Sequence, residues 1–441
     1  MMWWVYEFVF WIALLLASPY YLLRMRRRGG YAKGFMERFG VFNRLQRERL
    51  YGIRPIWIHA VSVGEVDLAL QLIHKLQGTT DGLPIVLSTT TSTGHAIAAR
   101  KLPSNVPLFY HPLDSRFCFG KTHRLLAPKA LILIEAELWP HHLHFCGKQN
   151  IPVILINARL SKRSYPRYHR FRWLFAYAFR AIRPVTLQSS DDIEPLVRLG
   201  FSRDAMIVTG SLKYDTARGT DPDRRARLLS DLAIFGQRPM WVAGSTHPEE
   251  EKVILDIHAR LRVKHPDLLL AIAPRHAERA SKISGLMRQR GVAHVLRTDL
   301  NSDHAHSRLR PNSSSIRESD ALLLDTTGEL KYLYERASLI FIGKSLIGHG
   351  GQNIIEPAAL GKPVIFGPHM ENFSTIVSDF LRAAAAIQVK DADELESEIT
   401  RLLGDPASRK LLGDKAAELV QSKQGAIDRT LTAVRQALSP A

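Results

Sequence analysis

The chain has 441 residues, 46% of them hydrophobic and 23% charged, with a formal net charge of +18. That length exceeds one typical core and calls for two domains of ordinary globular composition, while two cysteines, Cys118 and Cys146, with no CxxC pair give no support to a disulfide framework or a cysteine zinc site. The excess of lysine and arginine favours an anionic partner: nucleic acid, an acidic membrane surface or a phosphorylated substrate.

The first segment, MMWWVYEFVFWIALLLASPYYLL, carries one charge, Glu7, and RMRRR follows at residues 24–28. It reaches the ~20 residues needed to cross a hydrocarbon core. A cleavable signal peptide has its positive charge before the apolar run, not after it. The positive-inside rule puts residues 24–28 and everything downstream in the cytoplasm. Residues 1–28 are therefore expected to anchor the chain, with Trp3, Trp4, Tyr20 and Tyr21 at the interfaces. Glu7 and Pro19 leave a shallow, non-spanning insertion open. A buried N-terminal helix is the plainer alternative.

Beyond the arginines, short apolar runs alternate with helical stretches. In the first half they are IRPIWIHAVS, LPIVLSTTT, KALILIEAE, IPVILINAR and RPVTLQSS; in the second, RPMWVAGST, LLLAIAPR, SLIFIGKS and KPVIFGP. Continuous apolar strands alternating with helices predict parallel sheets covered on both faces. Two such sets predict two Rossmann-like α/β domains, residues 29–215 and 216–441, with the break in the polar stretch SLKYDTARGTDPDRRARL. RTDLNSDHAHSRLRPNSSS reads as a surface loop of the second domain. In open parallel sheets ligands bind beyond the carboxyl ends of the strands, and two facing domains with such rims form a cleft, the GT-B layout.

The strand ends carry the candidate chemistry. In HAVSVGEVDLAL a carboxylate, Glu65, stands on a strand-to-helix turn; first-turn capping would explain it without a ligand. Glu135 and Glu137 end a wholly apolar strand, where unpaired burial is costly, so they are expected to face the cleft or a cation. Lys213 lies by the domain break, within reach of a phosphate or a developing negative charge. Pro274 and Arg275 end a strand of the second half, and Thr327, Gly328 and Glu329 occupy the turn DTTGEL. In GHGGQNIIEPA the glycines precede a helix start, a setting for a nucleotide phosphate; Asn353 and Glu356 alone would make a capping box. Neither a Walker A motif nor GxGxxG is present, so neither a P-loop ATPase nor an NAD enzyme is supported. His141, His142 and His144 do not share one helix face and read as surface or core residues. ARLSKRSYPRYHRFRWLFAYAFRAIR interleaves bases with aromatics, better suited to anionic lipid than to RNA beside an anchor.

HAVSVGE, ELWP, INARLS, VTGSLKYD, STHPEEE, APRHAER, DTTGEL and GGQNIIEPA follow one another in this order. With the apolar N-terminus they resemble the 3-deoxy-D-manno-octulosonic acid (Kdo) transferases of lipopolysaccharide synthesis over roughly residues 20–430. The resemblance implies a GT-B fold with a membrane-anchor helix, CMP-Kdo as donor, and lipid IVA, the lipid A precursor, as acceptor. It implies inversion at the anomeric carbon, no cofactor and no metal in the donor site. Residue by residue, it places the general base on Glu65, a second essential carboxylate on Glu135 and a transition-state cation on Lys213. Its CMP contacts fall on Pro274, Arg275, Thr327, Gly328, Glu329, Asn353, Ile354, Ile355 and Glu356. Arg159, Lys162, Arg163, Arg167, Arg170 and Arg172 would meet the phosphates of the acceptor at the inner membrane, with no role for nucleic acid. Gln352 replaces a histidine frequent in the family, and Thr327 a methionine found in some members. Two rivals stand beside this reading: a membrane-associated GT-B enzyme using a UDP-sugar, and a basic membrane-bound adaptor without catalysis.

Overall fold

The computed structural model describes residues 2–28, 34–78, 82–135, 138–160, 165–170, 172–215, 221–300 and 316–439. The chain forms two compact units, Met1–Thr216 with Gly425–Ala441, and Ala217–Gln424.

The first unit holds a parallel sheet of strands β1 (Ile56–Ala60), β2 (Ile85–Thr89), β3 (Leu108–Tyr110), β4 (Ala130–Ile134), β5 (Val153–Ala158), β6 (Ile182–Leu187) and β7 (Met206–Val208). Their spatial order is β3-β2-β1-β4-β5-β6-β7. The central strands β1, β4 and β5 are buried along their whole length, so alternate residues feed two cores. Trp57, Leu131 and Leu133 pack with Phe119 and Leu143 on one face. Ile58, Ile132 and Ile154 pack on the other with Leu68 and Leu72 of the Val63–Gln77 helix. The order reverses between β1 and β4, which is where ligands collect in such sheets.

The second unit repeats the plan with β8 (Met240–Thr246), β9 (Leu269–Pro274), β10 (His294–Leu296), β11 (Ala321–Leu323), β12 (Leu339–Ile342), β13 (Val364–Phe366) and β14 (Ile387–Gln388). Their order is β10-β11-β9-β8-β12-β13-β14, so β8 and β12 flank its reversal. The short strands β3, β7, β10, β11 and β14 lie outside the runs named from the sequence.

One expected boundary is corrected. The expected second domain, residues 216–441, ends at Gln424, because the helix Ala426–Leu438 belongs to the first unit. Its Ile427, Leu431 and Val434 complete the core around Ile58 and Ile156. Asp215 accepts bonds from the Gly425 and Ile427 amides, both at 2.7 Å, and so caps the start of that helix.

The N-terminal helix runs from Met2 to Arg28. Its Trp3–Tyr21 stretch is long and apolar enough to cross a membrane, and little of it is buried. The exception is Glu7, 4% exposed. Its carboxylate accepts from Ser115 Oγ at 2.5 Å and the Arg116 amide at 3.1 Å, and lies 2.8 Å from His141 Nε2. Tyr6 donates to Asp114 at 2.7 Å, and Trp3 stacks on His144 at 4.0 Å. The lone acid of the apolar run thus fastens the first turns to the domain. Phe8, Val9, Leu15 and Leu16 stay exposed.

Candidate active site

Glu65 sits in the first turn of the Val63–Gln77 helix, just beyond β1, and is 7% exposed. Ser62 caps the helix, and the Glu65 side chain folds back toward it. Its Oε2 accepts from the Val61 amide at 2.8 Å and its Oε1 from Ser62 Oγ at 2.7 Å. The capping reading of this residue is therefore correct in part. Among the described residues no cation pairs with it. Burial pushes its pKa above the ordinary carboxylate range, and the nearby charge of Glu135 adds to the rise.

Glu135 follows β4, the next strand across the reversal. Its backbone is left-handed, with φ 61°, a strained setting for a residue with a side chain. One carboxylate oxygen lies 3.2 Å from Lys213 Nζ and the other 3.6 Å from Arg159 Nε. Arg159 follows β5, whose Asn157 has φ 54° and accepts the Leu212 amide at 3.1 Å. That bond fixes the turn Leu212–Tyr214 and aims Lys213. The ends of β4 and β5 and the turn Leu212–Tyr214 thus bring Glu135, Arg159 and Lys213 together, with Glu65 near enough for the charge of Glu135 to act on it. Glu137, Lys162 and Arg163 lie outside the described residues, as does the side chain of Arg167. Arg170, Arg172 and Trp173 are exposed on their helices. The histidines read as surface or core are core at His141 and His142.

In the second unit the expected residues divide. Pro274 ends β9, and Arg275 is exposed with its amide on the Thr246 carbonyl at 3.1 Å. Thr327 and Gly328 are exposed, Gly328 with φ 85°. Glu329 is turned inward instead: its carboxylate lies 3.3 Å from Arg297 Nε, and Arg297, 1% exposed, also bonds Asp231 at 2.8 Å. Arg297 opens the polar stretch expected to be a surface loop; here it is a buried counter-ion, while residues 301–315 lie outside the described residues.

Asn353 and Glu356 do not form the reciprocal capping box that would have explained them without a ligand. Asn353 Oδ1 accepts the Ile355 amide at 3.0 Å, and its Nδ2 donates to Glu356 at 3.3 Å, a side chain to side chain bond. The helix they open, Ile355–Ala359, has one turn only, so its dipole adds little for a phosphate. Ile354 and Ile355 are fully buried and offer a ligand no side chain. The preceding glycines are required where they stand. A Cβ on Gly350 would come 2.5 Å from Asn372 Nδ2, and one on Gly351 2.3 Å from Met370 Sδ. Beside them His349, His369 and Glu371 bring their ligand atoms within 4.8 Å of one another, the one such group among the described residues.

Sequence reasoning passed over Glu250. It is fully buried, and its carboxylate accepts from the amides of Lys344 at 2.6 Å, Ser345 at 3.0 Å and Leu346 at 3.1 Å. It thereby holds the loop after β12, which leads into the glycines. Its setting in STHPEEE made it one of three acids at a helix start, with nothing to single it out.

Comparison with known proteins gives this arrangement a context. The family described as 3-deoxy-D-manno-octulosonic-acid transferase (kdotransferase) matches residues 33–216, and glycosyl transferases group 1 match residues 320–419. A 3-deoxy-D-manno-octulosonic acid transferase of Haemophilus influenzae is 32% identical over 91% of this chain and 90% of that protein. That of Bordetella pertussis is 31% identical over 97% of this chain and 98% of its own. Among solved structures, a UDP-GlcNAc 2-epimerase from Neisseria meningitidis covers 87% of this chain and all of its own at TM-score 0.60 and 14% identity. A glycosyltransferase from Rickettsia africae covers 88% of this chain and all of its own at TM-score 0.57 and 11% identity, a likeness of fold. The chain is a GT-B glycosyltransferase and belongs to the 3-deoxy-D-manno-octulosonic acid transferase family.

Proposed function

We propose that this transferase moves Kdo from CMP-Kdo to lipid IVA at the cytoplasmic face of the inner membrane, in lipopolysaccharide biosynthesis. The observation that carries the reading is the buried Glu65 carboxylate, held by an amide and a hydroxyl but by no described cation, beside the Glu135–Lys213–Arg159 cluster. An acceptor hydroxyl must lose its proton as its oxygen bonds to the anomeric carbon of the donor. Glu65 takes that proton, and its raised pKa makes it a stronger base than an ordinary carboxylate. On the opposite side of the carbon the bond to the CMP phosphate breaks and CMP leaves, so the configuration inverts. Lys213, with Arg159, offsets the negative charge of Glu135 and of the reacting groups. The nucleotide falls to the second unit, where exposed Arg275 and the turn at Thr327 and Gly328 remain available to it. Glu329 would act there through the cations it faces, buried Arg297 and, at 4.0 Å, exposed Arg224. For the membrane, the docked first turns of the N-terminal helix favour shallow insertion of its exposed apolar side.

The test is transfer from CMP-Kdo to lipid IVA by membranes carrying the chain, wild type beside Glu65→Gln, with product read by mass. Product from wild type alone supports reaction and base together. Product only with a UDP-sugar donor sinks the assigned donor, and equal product from both forms removes Glu65 from the step.

A further inference from the structure

The docked N-terminal helix leaves a cavity of about 660 Å³ against the helices Arg116–Leu126 and Pro140–Lys148. That volume suits a small ligand. Trp3, Trp4, Phe117 and Phe145 supply its apolar wall. Arg116, Arg124 and Lys148 supply three permanent cations, and no acid is among the residues that line it. Among the described residues none of the three has a carboxylate partner. Arg116 instead lies over the Trp4 ring at 4.4 Å, and Arg124 bonds only the Gly120 carbonyl, at 3.3 Å. The wall also carries His144, whose Nδ1 is buried without a partner while its ring stacks on Trp3. A polar atom so placed is normally satisfied, by protein or by a ligand.

The position of the cavity selects the ligand. It lies at the root of a helix whose exposed face, through Val5, Phe8, Val9 and Ile12, is apolar. Tryptophans at that level match the headgroup region of a bilayer, where the ring is apolar and the indole N–H is wet. A free anion would gain nothing from the aromatic wall. A lipid phosphate uses both halves: cations for the headgroup, rings for the glycerol and the upper chain.

We propose that this cavity is a binding site for the phosphate headgroup of an anionic phospholipid of the bilayer, distinct from the Glu65 site. The proposal rests on the membrane reading above. The bound lipid ties the first turns of the N-terminal helix to the membrane surface and fixes how the first unit lies on it. The three cations act at short range on one phosphate, unlike a diffuse basic patch.

The test is native mass spectrometry of the full chain in detergent, with phosphatidylglycerol or phosphatidylcholine titrated in. Wild type is expected to retain one phosphatidylglycerol per chain and no phosphatidylcholine. The triple variant Arg116→Gln, Arg124→Gln, Lys148→Gln should retain it at least ~10-fold more weakly. Lys148→Gln alone, at an exposed helix end, should show a smaller loss in the same direction. Equal retention by wild type and triple variant overturns the proposal, as does equal retention of the two lipids. Displacement by soluble glycerol phosphate would make the ligand a free anion and sink it as well. A ~10-fold higher KM for detergent-dispersed lipid IVA in the triple variant would give the phosphate to the acceptor, again overturning it. Failure of wild type to sediment with any vesicle removes the membrane reading itself. Sedimentation without retained lipid removes this site alone.

Discussion

The two units each gather acids and cations at sheet ends, with opposite results. In the second unit Arg297 is 1% exposed and sits between Asp231 and Glu329, so each buried acid has a buried counter-ion, with exposed Arg224 farther from Glu329 at 4.0 Å. In the first unit Lys213 and Arg159 share Glu135, and Glu65 keeps a carboxylate with no described cation. A buried group left unbalanced destabilises the fold and is kept where chemistry needs it. The contrast separates a strut from the proposed reactive site, although both look alike as acids in polar turns.

Substitutions can sharpen this contrast. The largest effect is expected from Glu65→Gln: a ~10²–10⁴-fold loss in kcat with the KM for CMP-Kdo little changed, read in steady-state kinetics. Thermal melts should move the other way. A carboxyl whose folded pKa is raised stabilises the fold only while protonated, and that contribution is lost as pH rises through the folded pKa. Glu65→Gln should therefore raise Tm at pH 7, with the gain vanishing below about pH 4. A lower Tm at pH 7 would make Glu65 a structural cap.

Arg297→Leu should do the reverse, costing roughly 3–5 kcal/mol of stability by stranding Asp231 and leaving Glu329 only Thr326 and the more distant Arg224. Urea unfolding of the second unit would read it, with the KM for CMP-Kdo as the check on any direct donor contact. Glu250→Ala comes next. It leaves three backbone donors after β12 unmatched, at about 1–3 kcal/mol each for whatever part water cannot satisfy. The KM for CMP-Kdo should rise more than kcat falls, if the loop serves the donor. The smallest effect is a shift in a pH profile. Glu135→Gln removes a negative charge that raises the pKa of Glu65. Beyond its loss of rate, the acid limb of kcat/KM should move to lower pH; a limb that stays put would assign it to another group.

The parallel sheets were legible because their central strands are unbroken apolar runs, β1, β4 and β5 above all. Strands such as β7 and β14, of three and two residues, carry no such signal. Glu65 and Glu135 were readable as strand-end residues and Lys213 as a residue of the domain break, and the motif resemblance joined them. Arg159, the second cation on Glu135, was not read as its partner, because the pairing depends on β5 lying beside β4. Arg297 was misread because its neighbours are polar and its counter-charges lie far off in sequence. Glu250 was hidden for a like reason: its partners are amides, which no side-chain pattern reveals.

The return of Gly425–Ala441 to the first unit has a consequence for biosynthesis. A ribosome delivers the second unit whole and contiguous, while the first still lacks the helix that covers Ile58 and Ile156. The first unit to begin emerging is thus the last to close. Until Asp215 meets the Gly425 amide, the half of the enzyme that holds Glu65 waits with one apolar face only partly covered.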